Sequence, residues 1–297
     1  MSRPSVVVAF AVACLGIGVF STMDAVVKGL ALAIGTYNTL LWRSFAGIGV
    51  SGVPWLLRRP PRPSRAAMKL HIERGAVSAG MGMLFFWGLT QMPMAQAVAL
   101  SFIAPLIAQG LAVLLLGERM QRGALIGSVL GFAGVIVIVA GQVHARLGTE
   151  ALLGAGAILI SALLYAYNLI LMRRQSQIAD PYEVAFFQNA TVAICLGLFA
   201  GWFAEVPSAV HFPMIALAAV LATISLFLLS WAYAHAEASY LAPSEFTAFL
   251  WASLLGYLVF SEHVGLATIA GAALIIGGCV IAARSAPKPA LEREVVP

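Results

Sequence analysis

Apolar stretches long enough to cross a membrane follow one another from residue 6 to residue 284. About 20 such residues, wound as a helix, cover the ~30 Å hydrocarbon core of a bilayer. Inside lipid every backbone N–H and C=O must find its partner within the protein, so only helices or closed barrels span it, and runs this long are helices. The chain is 61% hydrophobic and 10% charged. A water-soluble domain carries about 25% charged residues. Polar breaks divide the chain into ten spans, at 6–30, 36–57, 70–90, 93–116, 123–142, 151–173, 182–203, 212–235, 239–260 and 266–284. The fold class expected is therefore an all-α integral membrane protein of ten transmembrane helices. The segment MSRPS and the apolar run after it are read as an uncleaved first span, because STMD interrupts the run where a small-residue cleavage site would fall.

The placement of the cations sets the orientation. With the N-terminus in the cytoplasm, Arg3, Arg58, Arg59, Arg62, Arg65, Lys69, Arg74, Arg119, Arg122, Arg173, Arg174, Arg284, Lys288 and Arg293 all fall on or beside the cytoplasmic side. Arg146 alone falls outside, while Lys28 and Arg43 lie within spans. The net charge of +5 is thus a topology signal, and no nucleic-acid partner is expected. Cys14, Cys195 and Cys279 are far apart in apolar runs and read as small buried hydrophobes.

Sliding the chain on itself by 144 residues superimposes Trp87 on Trp231, Phe102 on Phe246, and Glu118, Gly127 and Gly134 on Glu262, Gly271 and Gly278. A repeat of five spans, an odd number, inserts its second copy upside down. The domains read as a first five-helix repeat over 1–142, an inverted second over 143–284, and a cytoplasmic tail over 285–297. Inverted repeats around a midplane site characterise secondary transporters.

The segment SFIAPLIAQGLAVLLLGERMQRGALIGSVLGFAGVIVIVAG, residues 101–141, resembles the signature of the drug/metabolite transporter superfamily, EamA branch. It has a proline in the fourth span, a G-E-R loop and a glycine-spaced fifth span. In the second copy Phe249 stands at the offset position of Pro105, and Ser261 replaces the glycine of the G-E pair. The resemblance implies a bacterial-type cytoplasmic (inner) membrane and export of amino acids or other metabolites, with the aromatic amino-acid exporter type the most similar in length and aromatic content.

Charges within spans need a partner or water. Depth counting brings Asp24 and Arg43 to similar levels in the external half. Lys28 lies one turn nearer the surface, and either snorkels to the headgroups or completes an external gate cluster of Asp24, Lys28 and Arg43. The repeat equivalents are Asn168, Met172 and Phe187, so no matching charge cluster is expected on the cytoplasmic side. There, His235 and Glu237 end the eighth span and Glu245 enters the ninth, to pair with His235, to carry a coupling proton, or to serve as a structural carboxyl beside Pro243. Neutral polar and aromatic candidates are Asn38, Gln91, Gln96, Gln109, Tyr165, Tyr167, Asn168, Gln188, Asn189, Ser244 and Thr247, with Ser244, Thr247 and Trp251 on one helical face. Trp87 and Trp231 read either as interfacial belts or as a pair of aromatic gates. The spaced Gly127, Gly131 and Gly134, with Gly271, Gly277 and Gly278, serve either a homodimer or packing within the fold.

No nucleotide-binding G-x-x-x-x-G-K-[ST] occurs, and no H-E-x-x-H or cysteine metal constellation, so neither a cofactor nor an enzyme activity is expected. The function expected is a secondary transporter exporting amino acids, aromatic or otherwise apolar, and related small metabolites by alternating access. The alternatives are a transporter of cationic drugs or other metabolites, or a non-transporting membrane receptor.

Overall fold

The computed structural model describes residues 6–58, 63–116, 122–144, 148–175, 178–235, 241 and 244–284, and among these every regular element is helical. The chain runs through α1 (Val6–Ile34), α2 (Thr36–Leu57), α3 (Arg65–Gln91), α4 (Met94–Ser101), α5 (Ala104–Leu116) and α6 (Arg122–His144). It continues through α7 (Gly148–Gln175), α8 (Pro181–Gly197), the short α9 (Ala200–Phe203), α10 (Phe212–His235), α11 (Thr247–Phe260) and α12 (Leu266–Arg284). Glu118, Glu237 and Pro243 lie outside the described residues. Four helical segments are long and apolar enough by themselves to cross a membrane: Val7–Ile34, Thr36–Leu57, Gly148–Met172 and Ala209–Ala232.

Local chemistry sets the boundaries. Gly35 takes φ 79° between α1 and α2, a conformation that glycine adopts without steric cost. The Ser64 side chain caps α3 by accepting the Ala67 N–H at 3.1 Å. Asp180 caps α8 by accepting the N–H groups of Tyr182 and Glu183 at 2.8 and 3.1 Å, with Pro181 at the first helical position.

The expected fourth span, 93–116, is two helices. Pro105 has no N–H to give the Ser101 carbonyl. The N–H groups of Phe102 and Ile103 instead reach back three residues, each at 3.3 Å, and the chain restarts as α5 at Ala104. The expected ninth span is interrupted at the related place. Ser244 and Glu245 are helical, Phe246 is a turn, and α11 begins at Thr247.

Helix pairing follows the repeat. α1 packs chiefly on α10, and their 144-residue counterparts α7 and α3 pack on each other. The same seam carries a serine bond in both pairs: Ser225 donates to the Gly16 carbonyl and Ser161 to the Met81 carbonyl, both at 2.9 Å. α2 packs on its own counterpart α8, and α6 on α12. The α6–α12 contact is backbone on backbone. A Cβ at Gly134 would stand 2.6 Å from the Gly271 carbonyl oxygen, and one at Gly278 would stand 2.5 Å from that of Gly127. Gly134, Gly271 and Gly278 therefore serve packing within the fold, one of the stripe's two sequence readings. A Cβ at Gly277 would meet nothing within 4 Å.

Replacing Gly271 or Gly278 with Ala pushes backbone apart and is expected to lower stability by about 1–3 kcal/mol. Gly277→Ala leaves it unchanged. Thermal midpoints of the detergent-solubilised variants check both outcomes.

Candidate functional site

The bundle has two ends. The turn at Gly35, the α3–α4 turn and the α11–α12 turn share one, and Ser64, Gln175 and Asp180 mark the other. At the Gly35 end, Lys28 is 2% exposed and does not snorkel. Its ammonium donates to the Met92 carbonyl at 2.9 Å and forms an ion pair with Glu262. It also stands 4.9 Å from the centre of the Phe260 ring. The second oxygen of Glu262 accepts the Met94 N–H at 2.7 Å. Pro93 caps α4 without a side-chain acceptor, so Glu262 supplies the missing cap from the other half of the chain, where the helix dipole favours an anion. The single clasp thus joins α1, α4 and the end of α11.

Local structure aims Glu262 into this clasp. Ser261 holds φ 55°, and the N–H groups of Ser261 and Glu262 turn back to the carbonyls of Tyr257 and Gly256 at 3.1 and 3.0 Å. A Cβ at Gly256 would lie 2.8 Å from the Glu262 Oε2, so the bare backbone there makes room for the carboxylate.

One turn deeper along α1 lies Asp24, 5% exposed, its Oδ1 without a hydrogen-bond partner. Arg43 on α2 is its charge neighbour, yet no ion pair within 4.0 Å joins them. Arg43 donates through one Nη to the Met23 sulfur at 3.6 Å and stands 5.8 Å from the centre of the Phe86 ring. Its Nε has no partner. The expected three-residue cluster is therefore two separate arrangements: Lys28 belongs to Glu262, and Asp24 faces Arg43 without touching it.

Toward the Ser64 end, a continuous polar chain crosses three helices. Arg74 donates to Asn168 Oδ1 at 3.1 Å and to Gln175 Oε1 at 2.5 Å. Gln175 Nε2 meets His71 Nδ1 at 2.6 Å, and His71 Nε2 meets Glu183 at 2.7 Å. Tyr167 donates to Glu73 at 2.5 Å beside this chain. Phe187, the repeat counterpart of Arg43, stacks on His71 with ring centres 4.7 Å apart. The expectation of no charge cluster at this end is corrected. Repeat equivalence looked only at 168, 172 and 187, whereas Arg74, His71 and Glu183 come from positions whose counterparts are uncharged.

Between the two ends, the helix breaks meet. Phe102 and Phe246 touch edge to face at 5.6 Å. The Leu106 N–H, which a regular helix would give to the Phe102 carbonyl, goes to Ile103 at 3.1 Å, and the Cys279 thiol donates to Phe102 instead at 3.3 Å. Tyr165 is 42% exposed and within electrostatic reach of Arg74 and Glu245, and Glu245 also reaches Cys279. Trp251 lays its indole on Gly18 of α1. Ser244 and Thr247 hydroxyls bond the carbonyls of Leu241 and Ser244 at 2.7 and 2.6 Å, bracing the interrupted helix.

Other sequence candidates stand apart from these groups. Asn38 accepts the Glu205 N–H at 2.9 Å and donates to Ile34, tying a loop at the Gly35 end. Gln91 donates to Thr90 at 2.9 Å. Gln96 is buried and Gln188 half-buried, each with its Oε1 unpartnered. Trp87 and Trp231 are exposed at opposite ends, the latter stacked on His235 at 4.2 Å.

A model of the EamA-like transporter family matches this chain twice, over residues 6–140 and 152–284. The chain belongs to the EamA-like transporter family. It is a membrane transporter of that family, and the two matches correspond to its two repeats. A transporter of uncharacterised substrate from Helicobacter pylori is 29% identical over 93% of both chains. The pseudopaline exporter of Pseudomonas aeruginosa is 24% identical over 90% of this chain and 92% of its own. A protein solved by crystallography shares the fold, with TM-score 0.59 and 22% identity over 94% of this chain and 98% of that one.

Sequence reasoning did not place Glu262, Arg74, His71, Gln175 or Glu183 in the polar groups at the two ends. The repeat match of Glu118 to Glu262 was the available signal for the first. Arg74→Leu leaves Asn168 Oδ1 and Gln175 Oε1 without their donor, at about 1–3 kcal/mol per group. A lowered thermal midpoint, partly restored in Arg74→Lys, is the expected result.

Proposed function

We propose that this chain is a ten-crossing secondary transporter of two inverted repeats, exporting amino acids and related small metabolites by alternating access. The cation distribution places both termini in the cytoplasm, so the Gly35 end is external and the Ser64 end cytoplasmic. The observation that carries the reading is the Lys28–Glu262 clasp. It binds the two repeats together at the external end, and its repeat counterpart offers Met172 in place of the lysine. Tyr165 lies between that end and the cytoplasmic end, within electrostatic reach of Arg74 and Glu245. The paired helix breaks at Phe102 and Phe246 fall in corresponding positions of the two halves, where transporters of inverted repeats hold their substrates. Aromatic rings with a few hydrogen-bonding groups around them suit a cargo with an apolar body and a polar head. The exposed carboxylate of Glu245 favours a second reading, transport of a cationic compound.

Proteoliposome flux tests the pair. Uptake or release of at least one member of an amino-acid panel, with and without a pH gradient, is the expected outcome. Movement of an organic cation with no amino acid moving or competing replaces the first reading with the second. The clasp has its own signature. Lys28→Met or Glu262→Gln alone leaves one charge uncompensated and costs about 3–5 kcal/mol. The double variant is expected to recover much of the lost stability while still transporting poorly, measured by thermal midpoint and flux.

A further inference from the structure

Asp24 and Arg43 are opposite charges on neighbouring helices, within electrostatic reach, and neither bonds the other. Asp24 is buried and Arg43 half-buried, and holding the two there without direct pairing is costly, which leaves both open to a further partner. The incompleteness is atomic. Asp24 Oδ1 and Arg43 Nε both lack partners, and Asp24 is 5% exposed. Among the described residues the guanidinium meets the soft Met23 sulfur and the Phe86 ring, neither of which is an anion. The clasp of Lys28 and Glu262 lies one helical turn away along α1 and has its own partners in the Met92 carbonyl and the Met94 N–H.

We propose that Asp24 and Arg43 are the two halves of a recognition site for a zwitterion, in which Asp24 receives the ammonium and Arg43 the carboxylate of an α-amino acid. The inference rests on the transporter reading above and adds the residues that read the charged head. A carboxylate takes two parallel bonds from a guanidinium, and an ammonium bound beside Asp24 supplies the donor its Oδ1 lacks. A ligand with a cation and an anion a few ångströms apart bridges the pair and compensates both charges together. A ligand with one charge compensates one and leaves the other stranded. The site thereby rejects simple amines and simple acids of the same shape.

The test uses the purified full-length chain in nanodiscs, with L-phenylalanine, L-tryptophan, L-leucine and L-methionine as zwitterionic probes. Phenethylamine lacks the carboxylate and 3-phenylpropionate lacks the ammonium. In the wild-type protein both truncated probes are expected to bind at least about tenfold more weakly than phenylalanine, the penalty for one unpaired buried group. This comparison needs no variant and holds even if substitutions impair folding. Arg43→Gln should then weaken phenylalanine while leaving phenethylamine unchanged, and Asp24→Asn should weaken phenylalanine while leaving 3-phenylpropionate unchanged. Equal binding of phenylalanine and its truncated analogues, or unchanged zwitterion binding in both variants, overturns the inference and leaves the transporter reading standing. If none of the four amino acids binds, and none moves in proteoliposomes, the amino-acid reading falls with it.

Discussion

A charge removed from water must be compensated inside the protein, and in this chain the compensations are what connect the helices. Lys28 is the clearest case. It sits in an apolar helix, 2% exposed, and an ammonium there is tolerable only because Glu262 and the Met92 carbonyl receive it. Glu262 is in turn tolerable because it also takes the Met94 N–H. The three groups come from distant parts of the sequence, so satisfying one charge fixes the relative positions of α1, α4 and α11. The Arg74 chain does the same for α3, α7 and α8 at the opposite end.

Apolar packing supplies the frame against which these polar ties act. Lipid is as apolar as leucine, so helices in a bilayer gain little from burying more leucine and associate through close fit. The glycine contacts of α6 with α12 are that fit taken to its limit, with carbonyl oxygens where a side chain would stand. The serine bonds at the α1–α10 and α3–α7 seams repeat one solution twice. The helices that carry the polar groups are the ones outside the glycine pair.

Much of the frame was legible in the sequence, because hydropathy and a fixed offset are local or periodic signals. The helix boundaries fall within a few residues of the apolar runs, although the fourth span, expected as one helix, breaks beside Pro105. At the break beside Phe246 the repeat proline is replaced by Phe249, and the sequence mark of an irregular helix start was Pro243 instead. The site was less legible because its bonds join residues far apart in the chain. Depth counting grouped Lys28 with Asp24 and Arg43, yet azimuth around a helix, which depth ignores, sends Lys28 to Glu262. Arg74 was read as a topology marker, when two acceptors on α7, Asn168 and Gln175, hold it in the polar chain. Glu262 was seen as a repeat match and left without a role, because the backbone reversal at Ser261 that points it inward has no sequence signature apart from the glycine expected there.

The substitution of Met172 for a second lysine means that the two repeats, alike in fold, are unlike in energy. Under the proposed alternating-access cycle, leaving the clasped form breaks the Lys28–Glu262 pair, and differential binding of the cargo to the opened form supplies that free energy. Selectivity then resides partly in the opening step: a molecule that fits the pocket but cannot favour the opened form is held without being released.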